Sequence, residues 1–110
     1  MALNTPIVSA QTVAACTAMT ATGNSAETFS TGFRVTAAQA NVVGSGAVSA
    51  TVNLQASLDG VYFKTIYTFA LSGTTSDTDI QLLDATFQIY RWNVSAISGT
   101  TATVTGYLKT

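Results

Sequence analysis

The chain has 110 residues, one cysteine and no histidine, and with only 8% of its residues charged it carries a net charge of −1. That length supports one hydrophobic core and not two. A lone Cys16 excludes an internal disulfide, and the absence of histidine removes the commonest general base and metal ligand.

Ordinary soluble domains are roughly 25% charged; here Ser, Thr and Ala take up the difference. Charge-poor surfaces resist association weakly, and buried interface centres are themselves depleted in charge. Permanent assembly into a homo-oligomer is the expectation. No basic cluster is present to hold phosphates, so nucleic acid is not an expected partner. No run approaches the ~18 consecutive apolar residues of a membrane span.

Residues 1–26 are rich in Ala, Thr and Ser, with apolar pieces at Ile7-Val8 and at Val13-Ala14-Ala15-Cys16 and a turn near Thr22-Gly23-Asn24. This reads as an extended N-terminal arm with one or two short strands, in which Ile7, Val8 and Val13 are candidate interface residues. Val13 to Cys16 superficially resembles a lipoprotein cleavage site. However, no Lys or Arg precedes it, and Asn4, Thr5, Pro6, Ser9, Gln11 and Thr12 interrupt any apolar core of a signal. Without an export signal, the chain is expected to assemble in the cytoplasm where it is made.

From residue 27 the pattern alternates, with Phe29, Thr31, Phe33 and Val35 on one side of a half-buried strand. Ala37-Ala38-Gln39-Ala40 has helical flavour and predicts a short helical turn, followed by a loop closed by Gly44-Ser45-Gly46. The segment 47–71 then contains two alternating runs about Leu58-Asp59-Gly60-Val61. Asp-Gly in that setting predicts a hairpin with a two-residue primed turn. That turn would set Ala56 opposite Phe63, Val52 opposite Tyr67 and Ala50 opposite Phe69, leaving Ser49, Thr51, Asn53 and Gln55 on a polar outer face.

Residues 72–79 read as a loop, 80–83 as a short strand, and Asp84-Ala85 as a turn. Residues 86–97 predict a second strong strand that returns through Ser98-Gly99-Thr100 into 101–110. In a three-residue hairpin Trp92 would lie over Gly106, which makes room for the indole, and Arg91 would face Tyr107 as a cation–π pair. The whole predicts an all-β fold: a single antiparallel β-sandwich over 27–110, jelly-roll-like or immunoglobulin-like, with the 1–26 arm extending from it.

Candidate chemistry is sparse. Ser and Thr hydroxyls lack a histidine to activate them. Asp77 and Asp79, with Asp84, could offer oxygen ligands to Ca²⁺, but so few carboxylates more often serve as solvated turn residues. Asn93-Val94-Ser95 matches a glycosylation sequon and, without an export signal, reads as ordinary strand sequence. No catalytic residue, cofactor or metal site is predicted. Tyr62, Arg91 and Tyr107 fall on polar faces and complete the set of candidate interface residues; an exposed Tyr62 or Tyr107 would also suit a carbohydrate platform.

Residues 50–63, 72–79 and 90–108, and most specifically Ser57-Leu58-Asp59-Gly60 and Ala96-Ile97-Ser98-Gly99-Thr100, resemble a recurring β-sandwich pattern in small tailed-bacteriophage virion proteins. That group includes head decoration (cement) proteins and neck or tail components. The resemblance spans 47–109 and neither motif is catalytic. It implies a non-enzymatic subunit on the capsid surface, trimeric by preference, whose partners are the major capsid protein or other virion proteins.

Overall fold

The computed structural model describes residues 12–29 and 34–109 of the chain. They form nine strands and no helix: β1 (Thr12–Met19), β2 (Gly23–Asn24), β3 (Thr28–Phe29), β4 (Val35–Val43), β5 (Val48–Ser57), β6 (Lys64–Gly73), β7 (Ser76–Ala85), β8 (Ile89–Ser98) and β9 (Thr103–Lys109). One sheet has the order β1-β9-β4-β7 and the other β2-β8-β5-β6, with β3 also pairing β8. Every pairing is antiparallel. The predicted β-sandwich is therefore the architecture. Because β2 and β3 both run along β8, they act as one interrupted strand. The order is that of a jelly roll, in which consecutive strands β4 and β5, β6 and β7, and β8 and β9 lie in opposite sheets.

The strands of the 1–26 segment that are described sit on the sandwich itself. β1 is an edge of the first sheet, pairing Thr12 with Lys109, and β2 pairs Gly23 with Val94. Ile7 and Val8 lie outside the described residues, as do Thr31 and Phe33.

The core follows the period of two that makes alternate strand residues share a face. Val48, Ala50, Val52, Leu54 and Ala56 of β5 are buried, as are Ala38, Ala40 and Val42 of β4, Tyr90, Trp92 and Val94 of β8, and Val104 and Leu108 of β9. Large rings stand on one sheet: Tyr67 meets Phe69 edge-on at 4.7 Å between centroids, and Phe69 meets Trp92 at 5.5 Å. The other sheet supplies Ala38, Ala40 and Gly106, so size alternates across the interface and the layers can approach.

Four local expectations are corrected. The helical turn at 37–40 is instead the heart of β4. Alanine's helical preference is a weak prior, and here its small side chain is what fits beneath the rings. The loop at 72–79 shrinks to a two-residue connection, because β7 begins at Ser76 and reads through Asp84-Ala85. Its polar residues suit an edge strand, and Asp77 Oδ2 accepts the N–H of Ser72 at 2.9 Å across the corner.

The third correction concerns the β5–β6 turn. Val52 pairs with Phe69 and Leu54 with Tyr67, two residues from the expected register, and a bulge then sets Gln55 against Thr65. The shift is even, so Tyr67, Phe69 and Leu71 keep the predicted face. The cause is a wider loop organised by two side chains. Ser57 Oγ accepts from the N–H groups of Asp59 and Gly60 at 3.2 and 3.0 Å and donates to Asp59 Oδ1 at 2.8 Å. Asp59 Oδ1 in turn accepts from Val61 and Tyr62 N–H at 2.9 and 3.0 Å. Of the turn pair only Gly60 has positive φ, at 78°, which excludes the type I′ turn.

These bonds hold the Asp59 carboxyl below its ordinary pKa, the Tyr62 and Val61 N–H groups contributing most. A depressed folded-state pKa means stability that is present above the unfolded value and lost as pH falls through the folded one. Asp59→Ala should accordingly melt below wild type at pH 7, and the gap should close as pH drops below about 4. Parallel melting curves at all pH values would contradict this. Gly60→Val should independently cost about 1–2 kcal/mol in a urea titration, since a β-branched residue is strained at that φ.

The fourth correction is the C-terminal hairpin. β8 and β9 belong to different sheets, so no ladder joins them. Trp92 nonetheless lies on Gly106, across the sandwich: a Cβ there would sit 2.5 Å from Trp92 Cε2. Arg91 and Tyr107 point from opposite outer faces and do not meet.

Candidate functional site

The two outer faces differ in chemistry. On the β2-β8-β5-β6 sheet two rows of outward polar side chains bond one another. Asn93 donates to Asn24 at 2.7 Å, Asn53 to Asn93 at 3.1 Å, and Thr68 to Asn53 at 2.8 Å, a polar ladder crossing four strands. One row away Arg91 Nε donates to Gln55 Oε1 at 2.8 Å, and Gln55 Nε2 to Thr65 at 3.3 Å. The Arg91 guanidinium stacks on Phe63, 3.9 Å from the ring centroid, in place of the expected Tyr107.

On the β1-β9-β4-β7 sheet the outer face carries an apolar strip. β7 pairs Ile80 with Gln39 and Leu82 with Ala37, while β9 pairs Tyr107 with the same Gln39. Since Ala38 and Ala40 point inward, Ala37, Gln39, Ile80, Leu82 and Tyr107 point outward. Ile80 is 58% and Leu82 79% exposed. Over its middle β7 thus inverts the usual strand pattern: Ile80 and Leu82 face away from the sandwich, while Asp77 and Asp79 share the side of Val42 and Ala40, and only Leu83 packs against the core as a large apolar residue of this strand. Between these strands runs an open groove of about 380 Å³, floored by Ala37, Gln39 and Ile80 and walled by Tyr107 and Lys109.

A second apolar cluster caps the end of the sandwich where β5 meets β6 and β7 meets β8. Leu58, Val61 and Tyr62 in the first loop are 70–81% exposed, and Phe87 stands in the second. Tyr90 braces this end: its hydroxyl accepts the Phe87 N–H at 2.9 Å, and burial pushes the phenol pKa up, keeping it neutral. The Gly60 backbone lies close to Ile89, which holds the loop against β8.

The predicted interface residues are therefore dispersed. Tyr107 walls the groove, Tyr62 belongs to the loop cluster, Arg91 lies in the polar face, and Val13 is in β1, paired with Leu108. Ile80 and Leu82 are absent from the sequence-based set because a short strand at 80–83 has no partner there to define its faces. A signal for them exists: Ile80 and Leu82 alternate with Asp79 and Gln81.

For cation chemistry the geometry offers little. Asp77 Oδ1 and Asp79 Oδ1 each accept the following backbone N–H at 2.9 Å. Among the described residues no three His, Cys, Asp or Glu side chains gather in a way that could hold a metal ion.

The fold and this surface define a class, a jelly-roll sandwich with one face of bonded polar rows and one apolar outer strip. Comparison with known protein families, with curated proteins and with solved structures gave no match to the chain.

Proposed function

We propose that the protein is a non-enzymatic structural subunit of a phage virion, a capsid decoration or cement protein that stabilises the head by bridging major capsid subunits. The observation that carries the assembly part of this reading is the exposed strip of Ile80, Leu82 and Tyr107 on an otherwise charge-poor chain. Contiguous exposed apolar surface of this kind marks interaction sites. The virion assignment rests on the sequence resemblance over 47–109, and fold alone does not imply function. Bridging works by adding contacts that an expanding shell must break. Imaging intact particles tests it: the reading expects density for this chain at many equivalent positions over capsid subunits. Copies confined to twelve-, six- or threefold positions at the neck or tail would replace it with the neck or tail alternative.

A second reading is favoured by one observation, the polar ladder of Asn24, Asn93, Asn53 and Thr68 on the same sheet whose β5–β6 loop carries the exposed Tyr62. Such a face suits a carbohydrate-binding module. Glycan-array binding that disappears in Tyr62→Ala would establish it, and a blank array would remove it.

A further inference from the structure

We infer that Asp59 is a modification site, isomerising to isoaspartate through a succinimide formed with Gly60, and that Ser57 restrains this reaction in the folded chain.

Asp59-Gly60 is the single Asp-Gly pair of the sequence, and no Asn-Gly pair occurs. The reaction begins when the Gly60 nitrogen attacks Asp59 Cγ. An N–Cγ bond forms, and one carboxyl oxygen leaves as water with the amide proton and the acid proton. Water then reopens the ring. Cleavage at Cγ–N regenerates Asp59, whereas cleavage between the nitrogen and the main-chain carbonyl carbon of Asp59 leaves the chain running through Cβ and Cγ. Glycine suits the attack because it has no side chain to shield its nitrogen. The site is open to water, with Asp59 exposed beside Leu58 and close to Val61 at the tip of the β5–β6 loop.

In the fold one hydroxyl touches both reacting groups. Ser57 Oγ accepts the Gly60 N–H at 3.0 Å and donates to Asp59 Oδ1 at 2.8 Å. The first bond keeps the proton on the attacking nitrogen. The second, with the N–H groups of Val61 and Tyr62, favours the carboxylate over the acid, and a carboxylate cannot release its oxygen as water. Ser57 is itself buried, only 4% exposed, so solvent does not displace it from either partner. Isoaspartate lengthens the backbone by one atom and moves the carboxylate. The turn that presents Leu58, Val61 and Tyr62 would then lose the Asp59 bonds that shape it.

Prolonged incubation of the full-length protein at about pH 5, where an ordinary Asp of pKa about 3.9 is still partly protonated, tests this. Isoaspartate at residue 59 is read by peptide mapping as a product of unchanged mass that elutes apart from its parent. Wild type, Ser57→Ala and Gly106→Ala are compared well below their melting temperatures, with wild type in guanidinium giving the unrestrained rate. The expected result is a folded wild type several-fold slower than the denatured chain, Ser57→Ala close to the denatured rate, and Gly106→Ala, destabilised through the core instead, like wild type. No isoaspartate in the denatured chain would overturn the site itself. Equal rates in Ser57→Ala and wild type, or equal acceleration in Gly106→Ala, would overturn the role of Ser57. If Ser57→Ala does not fold, the pH profile of the wild-type chain decides. Its folded rate must begin to fall at a lower pH than its denatured rate, and coincident profiles overturn the restraint.

Discussion

Gly106→Ala should destabilise the sandwich by about 1–3 kcal/mol, and Gly106→Val by more, because overpacking a filled core forces side chains off their rotamers or shifts the backbone. The added Cβ would meet Trp92 Cε2 at 2.5 Å and Cδ2 and Nε1 at 2.8 Å. Those atoms belong to a rigid bicycle, fully buried and backed by Phe69, so the ring has nowhere to turn. The tightness already has a cost, since the buried Trp92 Nε1 has no hydrogen-bond partner among the described residues. Trp92→Ala should cost more, about 3–5 kcal/mol, through the cavity it leaves. The pair should also couple. In a double-mutant cycle read by urea unfolding, Trp92→Phe should be less harmful in the Gly106→Ala background than in the wild-type chain, since the smaller ring vacates the space the Cβ needs. Additive behaviour would mean that the indole does not rest on Gly106.

Ile80→Lys combined with Leu82→Lys should abolish assembly while leaving the fold intact. Both side chains point outward from an edge strand and are more than half exposed, so substitution removes little buried area. Surface changes of this kind usually stay within about 0.5 kcal/mol. At an interface centre the same change would bury two unpaired ammonium groups, which is prohibitive. Sedimentation velocity beside thermal melting separates the effects: loss of the oligomer is expected, with a cooperative melt whose Tm no longer depends on protein concentration. Ser49→Lys with Ser95→Lys, on the polar face, should leave both unchanged. An oligomer that survives the β7 double variant would move the contact to the loop cluster of Leu58, Val61 and Tyr62.

These two features are unequally visible in the sequence. Trp92 above Gly106 can be read there because a lone tryptophan in phase with Tyr90 and Val94 must be buried, and a glycine fourteen residues on is the obvious vacancy. Local pattern places them on paired strands, whereas they meet face to face between sheets. The outward strip is not visible, because an apolar residue on a strand gives no sign of which side it faces until its neighbours are known. Ile80 and Leu82 acquire a direction only through their pairing with Gln39 and Ala37 of β4. That strand is itself obscured by alanines, whose weak local preference favours a helix and whose burial beneath rings is a long-range fact.

By itself the sequence determined what local chemistry determines. Alternation marked β5, β6 and β8 and their buried faces, Asp59-Gly60 marked a reversal with positive φ at the glycine, and the scarcity of charge pointed to association. The tertiary structure decided which strands are neighbours. A turn of given composition can join two strands in one sheet or carry the chain over to the other. The choice between hairpin and crossover for β4–β5, β6–β7 and β8–β9 is fixed by which partner buries each apolar face, an energy summed over distant residues. That choice set Arg91 on Phe63 instead of Tyr107, stacked Trp92 on Gly106 across the core, and turned Ile80 and Leu82 to the outside.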